Sequence, residues 1–578
     1  MPQGQGQLRW AVDSARRHAA HALAAAATFV LLLVPDIAFA LAGYQTTSIH
    51  KSGSVLMAAV LAVALTLIVS RRWRLAAAGF LLGSQVLWLG CLAYFGKALG
   101  PEQIVLSATE IADVTIGIAG GWRILLPALI TVAMTGGLML LILACEFRKG
   151  VWRDRIGGWL FAAVMGASAI YWLSHESLGV SVPGSHTLAA LGPFQATVSA
   201  ARLLMTPVAA AKGMQIRDQD VRPVALEAEP QTVVVIMGEG ITPTRLSLFG
   251  YPAETSPRLA KWRREPPPGF ELIAKIGFAA GVATFASVPG FIKMSYIPVE
   301  GEWRGVNVFD LAYAGGFASW FLSAQSAHFL NVAGGARRAE RVFAEQGNEM
   351  AFAAKHDDLL VDLVREIPAG PERRFVFLHQ RVNHANYTEH CSHLGPGDQK
   401  DLYIFSVAAD TAPDQRKVAY ENGLRCWDRN AVSLAEPFLA AQGAVHIFIT
   451  ADHSEMMGEG GLWGHSIADL AVAQVPVLLL TNRPQSDVAK RMRALSPPTA
   501  YTVSQIVARA LGYDISTPGA ETNRFYLNNT LPFGRAGYLE AEETGPAQYQ
   551  YKVRRFGRDG RLQEESERNF PEMEKANR

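Results

Sequence analysis

Hydrophobic and polar positions are distributed unevenly along the chain, and the pattern changes near residue 175. Before it, apolar stretches stand out at roughly 22–43, 54–70, 75–95, 124–145 and 156–174, each near the ~20 residues that cross a bilayer as a helix. They predict five transmembrane helices. After it, the apolar runs are short and often β-branched: "TVVVIM" (232–237), "FVFL" (375–378) and "VHIFIT" (445–450). Continuous apolarity of that length fits strands buried on both faces of a parallel sheet. Helical patterns such as "DDLLVDLVREI" (357–367) and "AVSLAEPFLAA" (431–441) separate the later runs. The alternation predicts a doubly wound α/β domain.

The whole chain then reads as a transmembrane domain (1–175), a linker (176–230), an α/β domain (231–535) and a tail (536–578). The linker mixes Pro, Gly and Ala around "FQATVSAARLLM" (194–205), an amphipathic run expected to lie along the membrane surface. The tail is rich in charge and is expected to be solvated or loosely docked. At 578 residues the chain exceeds what one core organises, which agrees with separate domains.

Composition adds little: half the residues are hydrophobic and the net charge is +2, which selects no partner. No nucleic-acid partner is expected, and a monomer is. The placement of charge says more. Arg9, Arg16 and Arg17 precede the first apolar stretch, "RRWR" (71–74) lies between the second and third, and "EFRKGVWRDR" (146–155) between the fourth and fifth. Those segments are predicted to be cytoplasmic, and an odd number of crossings sends the rest to the periplasmic face of a bacterial inner membrane. The first stretch does not read as a cleavable signal peptide, because further spans follow and no clear small-residue cleavage site does. Asp36, in "LLLVPDIAFA", is an ionisable group inside a span, either functional or facing water or a neighbouring helix. Cys91 and Cys145 fall in spans, and Cys391 and Cys426 in the soluble part. Neither pair has metal-site spacing. The second pair either forms a disulfide in an oxidising periplasm or stays as two thiols.

Ligands of open parallel sheets bind beyond the carboxyl ends of the strands. "TVVVIMGEG" ends at Glu239, "FVFLHQRVNHANY" at His379 and His384, and "VHIFITADHSE" at Asp452 and His453. Together these supply the oxygen and nitrogen donors that Zn²⁺ takes. One Asp-His pair alone reads as structural, but three strand ends in agreement point to a metal centre. A nucleophile is offered by "GFAAGVATFASVPGF" (277–291), a Gly- and Ala-rich loop running into a short helix, with Thr284 and Ser287. A metal lowers the pKa of a hydroxyl so placed, while backbone N–H groups receive phosphate oxygens. Without that context Thr284 reads as a helix cap.

With these motifs the chain resembles the phosphoethanolamine transferases, inner-membrane enzymes of the alkaline phosphatase and sulfatase superfamily that include lipid A modifying and colistin-resistance proteins. "VVVIMGEGITPTRLSLFGYPAETSPRL" resembles the family's opening Gly-Glu block, "GVATFASVPG" its nucleophile block, and "DHSEMMGEGGLWGH" its Asp-His-Gly-Glu block. "LHQRVNHANY" and "YENGLRCWD" are similar to two further family segments. The resemblance implies a five-helix transmembrane bundle followed by a sulfatase-like domain. It also implies Zn²⁺ on Glu239, Asp452, His453 and Thr284, Thr284 as the phosphorylated nucleophile, and His384 and His465 on the substrate side. The implied reaction moves phosphoethanolamine from phosphatidylethanolamine, through Thr284, to an envelope glycolipid such as lipid A or lipopolysaccharide core. A glycerol-phosphate transferase, a phosphodiesterase, or transfer to a periplasmic glucan are the alternatives. "SVPGF" lacks the arginine of the sulfatase Cys/Ser-x-Pro-x-Arg context. A catalytically dead scaffold is disfavoured because every ligand position is filled. The chain departs from the lipid A enzymes at Ala280 and Gly290, where they carry cysteines, and at Ser454, where they carry glycine. The loop "PEQIVLSATEIADV" (101–114) resembles one that meets the phospholipid head group, with Thr109, Glu110 and Asp113 as candidates; a solvated loop is the other reading.

Overall fold

The computed structural model describes residues 3–42, 52–95, 99–100, 104, 111–145, 151–174, 188–205, 219–226, 230–296, 306–335, 339–345, 348–368, 370, 372–384, 387, 391, 412–517, 523–530, 537–556 and 562–570. It divides into two compact units, Met1–Thr206 and Pro207–Arg578.

The first unit is helical: α1 (Gln3–Leu41), α2 (Ser52–Leu67), α3 (Arg71–Phe95), α4 (Ile111–Ala144), α5 (Val151–Ser174) and α6 (Gly192–Met205). Each of the five apolar stretches falls mostly in a helix, the second running past the end of α2 at Leu67. Among the described residues three helices are long and apolar enough to cross a membrane, His18–Leu41, Arg71–Phe95 and Leu125–Ala144, beside shorter apolar helices at Ser54–Leu67 and Arg155–Ile170. Leu32, Leu61, Leu65, Leu81 and Leu143 pack inside, while Leu23, Met134 and Leu141 are exposed. Polar side chains serve backbone that the helices leave unsatisfied. Pro35 lies inside α1, and one turn before it the Leu32 carbonyl accepts from Gln85 of α3 at 2.8 Å. Buried Arg74 donates to the carbonyls of Ile68 and Cys145, just past the C-termini of α2 and α4, where a cation is favoured. Asp36 is buried, and its Oδ1 accepts from the Ala189 N–H at 3.1 Å. Thr109 and Glu110 lie outside the described residues, and Asp113 falls in α4.

Among its described residues the second unit has fifteen strands in four sheets. The main sheet has seven: β2 (Gln231–Gly238), β3 (Glu271–Phe278), β4 (Ala318–Ser323), β5 (Arg341–Ala344), β6 (Arg374–His379), β7 (Ala444–Ala451) and β10 (Gln474–Thr481), in the order β3-β10-β7-β2-β6-β4-β5. The three predicted runs are its centre: Ile236 of β2 pairs in parallel with Leu378 of β6 and Ile449 of β7. Every residue of these three strands is buried, which is why they read as unbroken apolar runs rather than alternations. The expected parallel sheet is in fact mixed, because β10 runs antiparallel to both β7 and β3; an apolar run carries no direction.

Short pairs join β1 (Asp220–Pro223) to β11 (Tyr513–Ser516) and β8 (Met456–Met457) to β9 (Trp463–Gly464). The segment expected as a charged tail instead contributes to a four-stranded antiparallel sheet of β12 (Arg524–Asn528), β13 (Tyr538–Gly545), β14 (Gln548–Phe556) and β15 (Leu562–Phe570). Leu539, Ala541, Tyr549, Tyr551 and Val553 pack from one face onto Phe278 and Leu470. Two helices matter for the site, α7 (Thr284–Ile292) and α8 (Ala412–Ala435). A disulfide joins Cys391, beyond β6, to Cys426 of α8.

Candidate active site

Glu239, Gln380 and Asp452 each follow directly on the carboxyl end of one of the three central parallel strands. At the first, two glycines make the turn. A Cβ at Gly238 would meet the Trp427 indole nitrogen at 2.3 Å, and Gly240 takes a φ of 63° that side-chain-bearing residues rarely adopt. The turn is pinned from both sides: Asn383 Nδ2 and Tyr420 Oη donate to the Gly240 carbonyl at 3.0 and 2.6 Å, while the Gly240 N–H donates to Asp452 Oδ1 at 3.1 Å.

Glu239, Asp452 and His453 are wholly buried and offer ligand atoms that lie within 4.8 Å of one another. His453 Nε2 stands 3.0 Å from Glu239 Oε1 and 3.4 Å from Asp452 Oδ2. Its Nδ1 donates to the Ser454 carbonyl at 3.0 Å, which aims Nε2 into the cluster. Thr284 opens α7, and its Oγ1 is 3.1 Å from both Glu239 Oε2 and His453 Nε2. The other candidate hydroxyl, Ser287, is turned away and accepts from the Ala280 N–H at 3.2 Å.

Two carboxylates buried side by side demand positive charge. Burial pushes the Glu239 carboxyl up, but the imidazoles of His453, His384 and His465 hold it well below the usual carboxylate range. Asp452 moves the opposite way, raised by burial and then by the charge of Glu239. Burial works against a charged His453, yet Asp452 and Glu239 lift it to about 10. The donor set fits a divalent cation: two carboxylates, an imidazole and a hydroxyl are what zinc accepts, and among the described residues Asp452 Oδ2 has no hydrogen-bond partner.

His465 reaches the cluster by stacking on His453, with ring centroids 4.2 Å apart. Its Nδ1 donates to Glu455 Oε1 at 2.7 Å, leaving Nε2 for another partner. The His384 ring is 6.1 Å from that of His465, and burial pushes it down to about 3, so it is a neutral imidazole. The six residues singled out in the sequence, Glu239, Thr284, His384, Asp452, His453 and His465, are thus brought together. His379 is not one of the group: it is wholly buried beside Ser323 and Gln325, and burial pushes it down to about 4.

Three participants were not read from the sequence. Gln325 Nε2 donates to Glu239 Oε2 at 2.7 Å; it follows β4, whose "ASWFLS" lacks the unbroken apolarity that marked the other strands. Asn383 left no signal, being one polar residue among several after β6. Glu455 did leave one, two residues beyond His453 in a stretch already rich in site residues.

No family model matches the chain, and no curated protein is matched by its sequence. Solved structures do match. The integral membrane lipooligosaccharide phosphoethanolamine transferase A from Neisseria meningitidis superposes with a TM-score of 0.55, covering 86% of this chain and 96% of its own, at 14% identity. The C-terminal periplasmic domain of EptC from Escherichia coli, solved as a complex with Zn, covers 54% of this chain and 90% of its own at 16% identity and a TM-score of 0.40. The phosphonate monoester hydrolase of Agrobacterium radiobacter covers 60% of this chain and 89% of its own at 11% identity and a TM-score of 0.37. At these identities the likeness is one of fold, shared with the first of these structures: apolar N-terminal helices followed by an α/β unit with a mixed sheet.

Proposed function

We propose that the chain transfers phosphoethanolamine from phosphatidylethanolamine to an envelope glycolipid such as lipid A or lipopolysaccharide core. The observation that carries this reading is the Thr284 hydroxyl, buried at the start of a helix and 3.1 Å from both Glu239 and His453. The fold shared with a lipooligosaccharide phosphoethanolamine transferase supports the transferred group and the class of acceptor. Glu239, Asp452 and His453, with Thr284, would hold a zinc ion. Bound there, zinc would acidify the hydroxyl and offset charge on the phosphate.

Reaction proceeds by two displacements at phosphorus. Thr284 Oγ1 gives up its proton toward the carboxylates it faces and forms a bond to phosphorus, and the bond from phosphorus to the diacylglycerol oxygen breaks. The N–H groups at the start of α7 receive phosphate oxygens, as helix N-termini do. His465, its Nδ1 fixed by Glu455, presents Nε2 to protonate the departing diacylglycerol alkoxide. An acceptor oxygen then attacks phosphorus and frees Thr284. His465, having given up its proton, takes the acceptor's proton in turn, the task of a general base, while His384, a neutral imidazole beside it, binds an oxygen of the phosphate or acceptor.

The helices of residues 1–175 would span the inner membrane five times, holding the lipid donor beside a periplasmic catalytic domain at 231–535. The shorter apolar stretches Ser54–Leu67 of α2 and Arg155–Ile170 of α5 would supply the other two crossings beside the three helices of spanning length.

Mass spectrometry of envelope glycolipids from cells with and without the chain tests the reading. The expected result is a phosphoethanolamine increment that depends on the chain and falls by about three orders of magnitude or more in Thr284→Ala, the scale of losing a covalent nucleophile. Equal modification by the variant overturns the nucleophile. A glycerol-phosphate increment instead assigns the alternative donor.

A further inference from the structure

The four-stranded sheet β12–β15 meets the site at two separate loops. At the first, the Asn528 backbone N–H, at the end of β12, donates to the Ala280 carbonyl at 2.8 Å, and its side-chain amide donates to the same oxygen at 3.2 Å. Gly281 and Asn528 form an isolated bridge beside it. These bonds hold the loop four residues before Thr284. Ala280 and Gly290 face each other across that loop, where a Cβ on Gly290 would come within 2.6 Å of the Ala280 Cβ, and neither offers a covalent tie.

At the second loop, Tyr551 Oη of β14 and Arg568 Nη1 of β15 both donate to Asp469 Oδ2, at 3.0 and 3.1 Å. Asp469 in turn caps the helical turn Leu470–Ala473 through the Ala471 N–H at 2.9 Å. Asp469 stands four residues after His465. The two loops are joined as well, since the Ser466 N–H donates to the Val282 carbonyl at 2.9 Å. Phe278 closes the arrangement from below, stacking on Phe525 with centroids 4.9 Å apart and edge-on to Tyr549 at 5.0 Å.

We infer that the β12–β15 sheet is a positioning element of the active site, with Asn528 setting the Thr284 loop and the Tyr551–Arg568–Asp469 group setting the His465 loop. The inference rests on the reading of Thr284 and His465 as reacting residues. None of these four side chains touches the reacting groups. They act by fixing where those groups stand, and displacements of about 1 Å in such geometry cost up to about a hundredfold in rate.

The test uses the full-length chain in lipid nanodiscs with Asn528→Ala and Tyr551→Phe, and with Arg568→Gln, at an exposed position, should Tyr551→Phe not fold. Hydrogen–deuterium exchange read by mass spectrometry follows peptides 279–290 and 462–470. The expected outcome is faster exchange in 279–290 for Asn528→Ala and in 462–470 for Tyr551→Phe or Arg568→Gln, with β2, β6 and β7 unchanged. Transfer should fall about tenfold or more in kcat with KM little altered. Uniformly faster exchange, or unchanged loops with unchanged kcat in folded variants, overturns the inference. Parent protein that transfers nothing refutes the proposed reaction instead, and the loop-specific exchange still decides the positioning role.

Discussion

Asp357 lies wholly buried beneath the segment that leads from β6 to His384, and its Oδ2 accepts from the N–H groups of Arg381 and Val382 at 2.9 Å each. Burial pushes its carboxyl up to about 7, although both of those bonds pull it down. In the unfolded chain it ionises near the ordinary value of 3.8, so between roughly pH 4 and 7 the folded state keeps a proton that the unfolded state has lost. Stability from this group therefore falls as pH rises through that window, by up to about 1.4 kcal/mol per pH unit. Asp357→Asn keeps an acceptor for both N–H groups and should flatten the slope, measured as denaturation midpoints from pH 4 to 8. Glu345, paired with Arg381 and also raised to about 7 by burial, leaves a residual slope of the same sign. At this scale the sequence was legible where donor types recur at strand ends: Glu239, Asp452 and His453 each follow an apolar run, and Thr284 stood out only beside them. Gln325 and Asn383 were not, because an amide becomes a site residue only through what lies within hydrogen-bond reach of it.

The helix α8 contributes Tyr420, whose hydroxyl donates to the Gly240 carbonyl and accepts from the Thr242 N–H at 2.8 Å. One phenol thus fixes the turn that carries Glu239 to a helix distant in sequence. Tyr420→Phe should destabilise the fold by about 1–3 kcal/mol, the cost of leaving buried partners unsatisfied, and weaken zinc binding; chemical denaturation and competition with a chelating dye measure the two. Unchanged zinc affinity would limit the role to packing. Elements buried on both faces, β2, β6 and β7, were read directly from composition. The C-terminal sheet was not, because charge obscured its alternation. In β13 and β14 the inward Leu539, Ala541, Tyr549, Tyr551 and Val553 are interleaved with Glu540, Glu542, Gln550, Lys552 and Arg554. Cross-strand pairs such as Arg554–Glu540 at 2.7 Å and Arg524–Glu542 at 3.1 Å occupy the other face. A half-solvated sheet reads as a period of two, and its charged members drew the reading toward a tail.

On the scale of the whole molecule, the change near residue 175 marks the end of the long apolar stretches, while the first unit runs on through α6 to Thr206, and the number of membrane crossings depends on α2, shorter than a bilayer requires, and on α5, whose apolar described stretch Arg155–Ile170 is also short. Reporter fusions resolve that count. A reporter active only in the periplasm should work when fused after residue 578 and stay silent when fused after residue 147; the reverse pattern rejects an odd number of crossings, and activity at both rejects a crossing by α5. The way the site is assembled also bears on synthesis. Glu239 is made early in the second unit, Asp452 and His453 far later, and Asn528 later still. A nascent chain that has reached Thr284 therefore holds the hydroxyl but neither Asp452 nor His453 beside it. On the proposed reaction that hydroxyl would stay idle until both are made, so a prematurely terminated copy would leave lipid untouched.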